Sequence, residues 1–274
     1  METASVVGSQ VSEVDVERAH AHARAYELIE AVQAAPGSHD LTAPLQQADA
    51  RGWWDVCFLL HYAVFAQAYR SGQDFADELL QMFALADLDD NPVLLAIALA
   101  TRAEHEAGAG DVARSESVES DLARAVALLG EDRGSDADRP TAYVACGLAY
   151  HVRGLWELEE EMYQEAGRLL QVALPSPLDR TKEPVRRLLP YNRREALLAW
   201  AFALLELGER GAAAAVARRG LSLPVDVPAL PPEWVDEIAA IDYAFAAIAA
   251  EPRPVPVEAM AARIRPLAWA GSRG

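Results

Sequence analysis

Apolar residues recur three and four positions apart through most of the chain, the spacing of helices with one buried face. Start and stop signals divide it into about a dozen helices. Ser12 caps a first helix to about Ala34, ended by Pro36 and Gly37, and a short second one lies near Pro44 to Arg51. Helices then follow from Trp53 to Gly72, Gln73 to Leu88, and Asn91–Pro92 to about Ala107, the last opened by a cap followed by a proline. Ser115 to Leu129 is next, and after the polar break EDRGSDADRP come Pro140 to Gly154 and Leu155 to Leu174. The Pro-rich segments Pro175 to Pro190 and Pro224 to Pro232 read as insertions around helices Asn192 to Leu207 and Glu209 to Leu221. Glu233 to Glu251 follows, then the stiff spacer EPRPVPVE and a last helix near Val257 to Ala270.

Tight glycine turns between consecutive helices favour antiparallel neighbours, so the chain is expected to fold as about five helical hairpins. The turn glycines Gly72, Gly154 and Gly208 stand 82 and 54 residues apart, a loose period. Composition agrees: 55 Ala and 33 Leu against 6 Ile and 5 Thr favour helices and disfavour a pleated sheet.

The residues around those turns resemble the tetratricopeptide repeat. In WAFALLELGERGAAAAVARRGLSLP the matching positions are Trp200, Ala201, Leu204, Gly208, Ala213, Gly220, Leu221 and Pro224. In YVACGLAYHVRGLWELEEEMYQEA they are Cys146, Gly147, Tyr150, Gly154, Trp156, Tyr163 and Ala166. Arg210, Ala217, Glu159 and Phe65 depart from the pattern. The likeness spans about Gly52 to Pro224 and implies an all-α solenoid of about five antiparallel hairpins. Capping helices at 1–51 would precede the repeats at 52–231, and a C-terminal helical hairpin or cap would follow at 232–274. More narrowly, RGWWDVCFLLHYA, CGLAYHVRGLWELE and YNRREALLAWAFALLELG are similar to the helical region that GC-rich bacteria place ahead of diguanylate cyclase domains. The cyclase signature turn itself does not occur in this sequence.

Charge then narrows the partners. Forty-two acidic against 24 basic residues give a net charge of −18, a field that repels nucleic-acid phosphates and anionic lipid. Only Lys182 among the basic residues is a lysine, leaving arginine for any anion contact. The N-terminus lacks the pattern of a secretion signal, and the most apolar windows are short or interrupted by an acid such as Asp242. Cys57 and Cys146 fit reduced core thiols, so a cytoplasmic setting is expected.

No constellation assembles into a reaction centre. GAGDVA at 108–113 follows a helix, not the strand a dinucleotide fingerprint requires. DLDDN at 87–91 carries Pro92 where a calcium loop needs glycine, so it reads as a turn with Asn91 as helix cap. Cys57 and His61 are four apart on one helix face, but two ligands do not close a zinc site. The run WELEEEMY reads as a solvated helix face. No catalytic residue, metal or cofactor is expected.

In solenoids of this kind the first helix of each hairpin lines the concave face, where a ligand lies. That places Tyr62, Tyr69, Arg70, Arg102, His105, His151, Asn192 and Arg193 on the expected groove. Arg102, His151 and Arg193 are the groups expected to meet an acidic ligand, unless nearby carboxylates already pair them. The leading expectation is a regulatory, non-enzymatic module that binds a peptide or partner protein. The alternative is a small-molecule sensor whose conformation or oligomeric state changes; a small acidic ligand and a second copy of the chain are the other partners considered. An open trough favours a peptide, and an enclosed, mainly apolar pocket favours a small ligand.

Overall fold

The computed structural model describes residues 13–34, 37, 39–108, 115–130, 137–172, 182–225 and 232–250. Among these residues the protein is all-α, with helices α1 (Glu13–Ala34), α2 (Thr42–Ala50), α3 (Trp54–Arg70), α4 (Ala76–Leu88), α5 (Pro92–Gly108), α6 (Ser115–Gly130), α7 (Arg139–Val152), α8 (Trp156–Leu170), α9 (Glu183–Glu206), α10 (Arg210–Ser222) and α11 (Pro232–Ala249). The helix expected near Val257 to Ala270, and with it the second arm of the C-terminal hairpin, lies outside the described residues.

One turn geometry recurs. Gly52, Gly72, Gly154 and Gly208 all take φ between 65° and 80°, the left-handed conformation that a side chain disfavours. At each, the amide one residue later bonds back to a carbonyl five residues earlier: Trp53 to Ala48, Gln73 to Ala68, Leu155 to Tyr150 and Glu209 to Leu204, at 2.8–3.1 Å. This is the Schellman ending, which satisfies the last carbonyls of one helix while reversing the chain into the next. After α4 the same bond, Asn91 to Ala86 at 3.3 Å, is made with Asp90 at φ 47° in the glycine position. Asn91 then caps α5, its side-chain oxygen accepting from the Val93 amide at 2.9 Å.

Consecutive helices pack in pairs, α3 with α4, α5 with α6, α7 with α8 and α9 with α10, and α5 and α7 also pack on each other. Small residues let them approach. A Cβ on Gly147 of α7 would lie 2.4 Å from the ring of Tyr163 on α8, and one on Gly220 of α10 would lie 2.2 Å from Phe245 on α11. The largest core runs without a break from α1 through α3, α4 and α5 to α7, and smaller clusters continue it through α8, α9, α10 and α11.

The Pro-rich stretch is shorter than expected. Helix α9 begins at Glu183, with a proline in its first turn, and carries Pro190 within it, so residues 183–190 belong to the helix. Proline suits the first turn, where its missing amide has no partner to lose; at Pro190 the helix forgoes one backbone bond. The only lysine, Lys182, is buried just before α9, where its ammonium donates to the Val172 carbonyl at 2.6 Å beyond the end of α8. No described helix is long and apolar enough to cross a membrane.

Candidate functional site

Helix α1 touches more than its neighbour in sequence. It packs on α3, and a stripe of its side chains spaced four apart reaches further. Arg18 forms a bidentate pair with Asp55 at the start of α3, at 2.9–3.1 Å, and lies 3.5 Å from Asp89. His22 Nε2 is 3.0 Å from the Asp138 carboxylate at the start of α7. The Tyr26 hydroxyl donates to Asp138 at 2.7 Å and accepts from the Thr141 hydroxyl at 2.8 Å. Glu30 is held by the guanidinium of Arg187 on α9. Arg18, His22, Tyr26 and Glu30 thus tie one helix to α3, α7 and α9, while Ala25, Leu28, Ile29 and Val32 bury its apolar side.

Asp138 is the buried anchor of this strap. Burial alone raises a carboxyl pKa, but the neighbouring His22 and the Tyr26 hydroxyl outweigh it and hold the group below its usual range. The charge therefore stays on Asp138 in the folded protein at neutral pH.

Between α1 and the helices it crosses lies a cavity of about 60 Å³. Ile29, Val144, Leu148, Val185 and Leu189 supply its apolar lining, and Tyr26, Glu30, Tyr62, Thr141 and Asn192 its polar atoms. The residues from α7, at 141, 144 and 148, and those from α9, at 185, 189 and 192, follow helical spacing, so each helix presents one continuous face. Two groove residues expected from sequence, Tyr62 and Asn192, meet at this cavity.

The other expected groove residues go elsewhere. Tyr69 and His105 touch each other edge to face, with ring centres 6.1 Å apart, and both contact Phe75. Arg70 is the last residue of α3 and its side chain is not among those described. Arg102 forks onto Asp121 of α6 at 2.6 and 2.8 Å and lies over the Phe83 ring of α4. His151 is 3.0 Å from Glu159 of α8, and Arg193 donates to Glu160 of α8 at 2.5 Å. These three groups, expected to meet an acidic ligand, each engage a carboxylate of the chain itself.

Glu159 and Glu160 are 1% and 2% exposed, although their run reads as a solvated face. Glu160 accepts from Arg193, from Arg219 at 2.7 Å and from Gln164, which compensates its buried charge. Glu159 has fewer partners, and burial pushes its carboxyl pKa up. Burial and the nearby carboxylates of Glu237 and Glu159 raise Glu195 to about 7, against the lowering effect of Tyr191 and His151. Desolvation pulls the His151 pKa down, yet its bond to Glu159 and the charges of Glu195 and Glu104 leave it raised overall. Both cysteines are buried and free, with thiols pushed up to about 11 at Cys57 and about 12 at Cys146 by desolvation. Among the described residues no three His, Cys, Asp or Glu side chains converge as metal ligands.

The residues that sequence reasoning missed are on α1. Its packed side mixes Arg, His, Tyr and Glu with apolar residues, so it lacks the clean apolar stripe of a helix with a predictable buried face. Comparison of the chain with protein-family models, curated proteins and solved structures finds no match.

Proposed function

We propose that this chain is a regulatory, non-enzymatic interaction module, built as a tetratricopeptide-like array, and that its binding face for a partner helix is the face of α3, α7 and α9 that α1 now covers. The observation that carries this reading is α1 itself: a 22-residue helix seated across that face by polar ties to three separate helices. A partner helix presenting a cation, a hydroxyl eight residues further on and a carboxylate four residues after that, beside an apolar edge, would reproduce those ties, the helix-in-groove mode of recognition. Asp55, Asp138 and Arg187 are then the specificity-setting groups. Exchange of α1 for such a partner is the switch, and the output belongs to another domain or protein. The resemblance to helical regions ahead of diguanylate cyclases suggests such an enzyme as that output.

The test uses a labelled peptide of residues 13–34 and fluorescence anisotropy, with the full chain and an Arg18→Ala/Glu30→Ala variant that loosens α1. The peptide should bind the variant about tenfold tighter than the wild type, because a competitor inside the chain is weakened. Equal affinity for both chains, or no binding to either while circular dichroism shows both folded, would overturn the reading.

A further inference from the structure

We propose that the cavity beneath α1 is a binding site for an uncharged small molecule with a compact apolar body and one amide or hydroxyl head. The proposal does not rest on the partner-helix reading, because it concerns the chain with α1 in its own place, where Tyr26, Ile29 and Glu30 form part of the cavity wall.

The lining decides the class of ligand. Five aliphatic side chains, from α1, α7 and α9, form the body of the cavity. The charges at its edge are already compensated: Glu30 is paired with Arg187, and the Tyr26 and Thr141 hydroxyls are engaged with each other and with Asp138. A charged ligand would lose its hydration and find no counter-ion. Asn192 is different. It is half-buried, it lines the cavity, and its side-chain amide makes no hydrogen bond among the described residues. An amide offers one acceptor and two donors, so it matches a carboxamide head in both directions and a hydroxyl in either. Neighbouring apolar side chains disfavour leaving such a group unmet.

The size sets a further condition. A dry cavity that admits benzene measures about 150 Å³, so the 60 Å³ here takes only a smaller body without rearrangement. Anything larger must move part of the cavity wall, and α1 supplies Tyr26, Ile29 and Glu30 to that wall. Ligand size is thereby linked to the position of α1: a body that fits leaves the strap closed, and a bulkier one binds better when it is lifted.

The test is a titration of the full chain with isobutyramide, followed by two-dimensional NMR, with isobutyrate as the charged analogue of the same shape. The expected result is saturable shifts confined to residues around Ile29, Leu148 and Asn192, with a Kd on the order of millimolar for so small a ligand, and isobutyrate at least about tenfold weaker. Asn192→Leu, which keeps the volume and removes the head-group partner, should weaken isobutyramide about tenfold. Leu148→Phe, which fills the space, should abolish binding. No saturable shift in the wild type would overturn the proposal, as would isobutyrate binding as tightly as the amide, or affinity unchanged in both folded variants.

Discussion

The Tyr26 hydroxyl and the Asp138 carboxylate meet at 2.7 Å across 112 positions of sequence, joining the first helix to the start of the seventh in a buried setting. A hydrogen bond to a buried charge is worth more than one between neutral groups, and its loss leaves the charge less well compensated. Tyr26→Phe removes only the donor and should cost roughly 1.5 to 3 kcal/mol in urea unfolding. Asp138 is held below its usual pKa, so its contribution is present at neutral pH and is lost as pH falls below about 4 through the native value. Asp138→Asn should accordingly show a flatter stability profile on the acid side than the wild type.

Glu195 makes a prediction of the opposite sign. Its folded pKa, about 7, lies above the ordinary 4.5, so the folded chain binds the extra proton between those values. Stability from this group is full below about pH 4.5 and fades as pH rises through about 7. His151, also raised, loses its contribution in the same direction above about 6.5. Glu195→Gln should therefore gain on the wild type as pH rises from 5 to 8, by up to roughly 3 kcal/mol at about 1.36 kcal/mol per pKa unit. Parallel chemical denaturation series at several pH values check it. A difference between the two chains that does not change with pH would contradict the assignment.

Gly147 faces the ring of Tyr163, which is 1% exposed and cannot swing away. Alanine there gains about 1 kcal/mol of helix propensity but forces the α7–α8 interface apart. Gly147→Ala should be destabilising by roughly 1 to 2 kcal/mol net, lowering the melting temperature. At Gly211, where an added Cβ meets nothing within 4 Å, the same change should stabilise or leave the melting point unchanged.

The two thiols should be inert in the folded protein. Burial suppresses the thiolate at both Cys57 and Cys146, so iodoacetamide at about pH 8 should label neither until denaturant is added, as mass spectrometry would report.

Local rules carried most of the fold. Gly72, Gly154 and Gly208 mark turns because only a residue without Cβ enters the left-handed region freely, and Asn91 before Pro92 marks a helix start for equally local reasons. The start of α9 was obscured because Pro184 and Pro190 look alike in sequence, although one opens the helix and the other interrupts it. The site was legible only in part. Tyr62 and Asn192 follow from the placing of first helices, and both line the cavity. Arg102, His151 and Arg193 also stand on first helices, but their direction depends on Asp121, Glu159 and Glu160, carboxylates of neighbouring helices that lie 8 to 33 positions away. The strap made by α1 rests on contacts that span 37 to 157 positions, which no local periodicity encodes.

The exchange of α1 is tested most directly by amide hydrogen exchange along α1 in the Arg18→Ala/Glu30→Ala chain, with and without a saturating, isotopically distinct peptide of residues 13–34. If the peptide takes the face of α3, α7 and α9, the chain's own α1 amides should exchange about tenfold faster in its presence, while those of α5 and α10 keep their protection. Unchanged protection of α1 at saturating peptide would contradict the account.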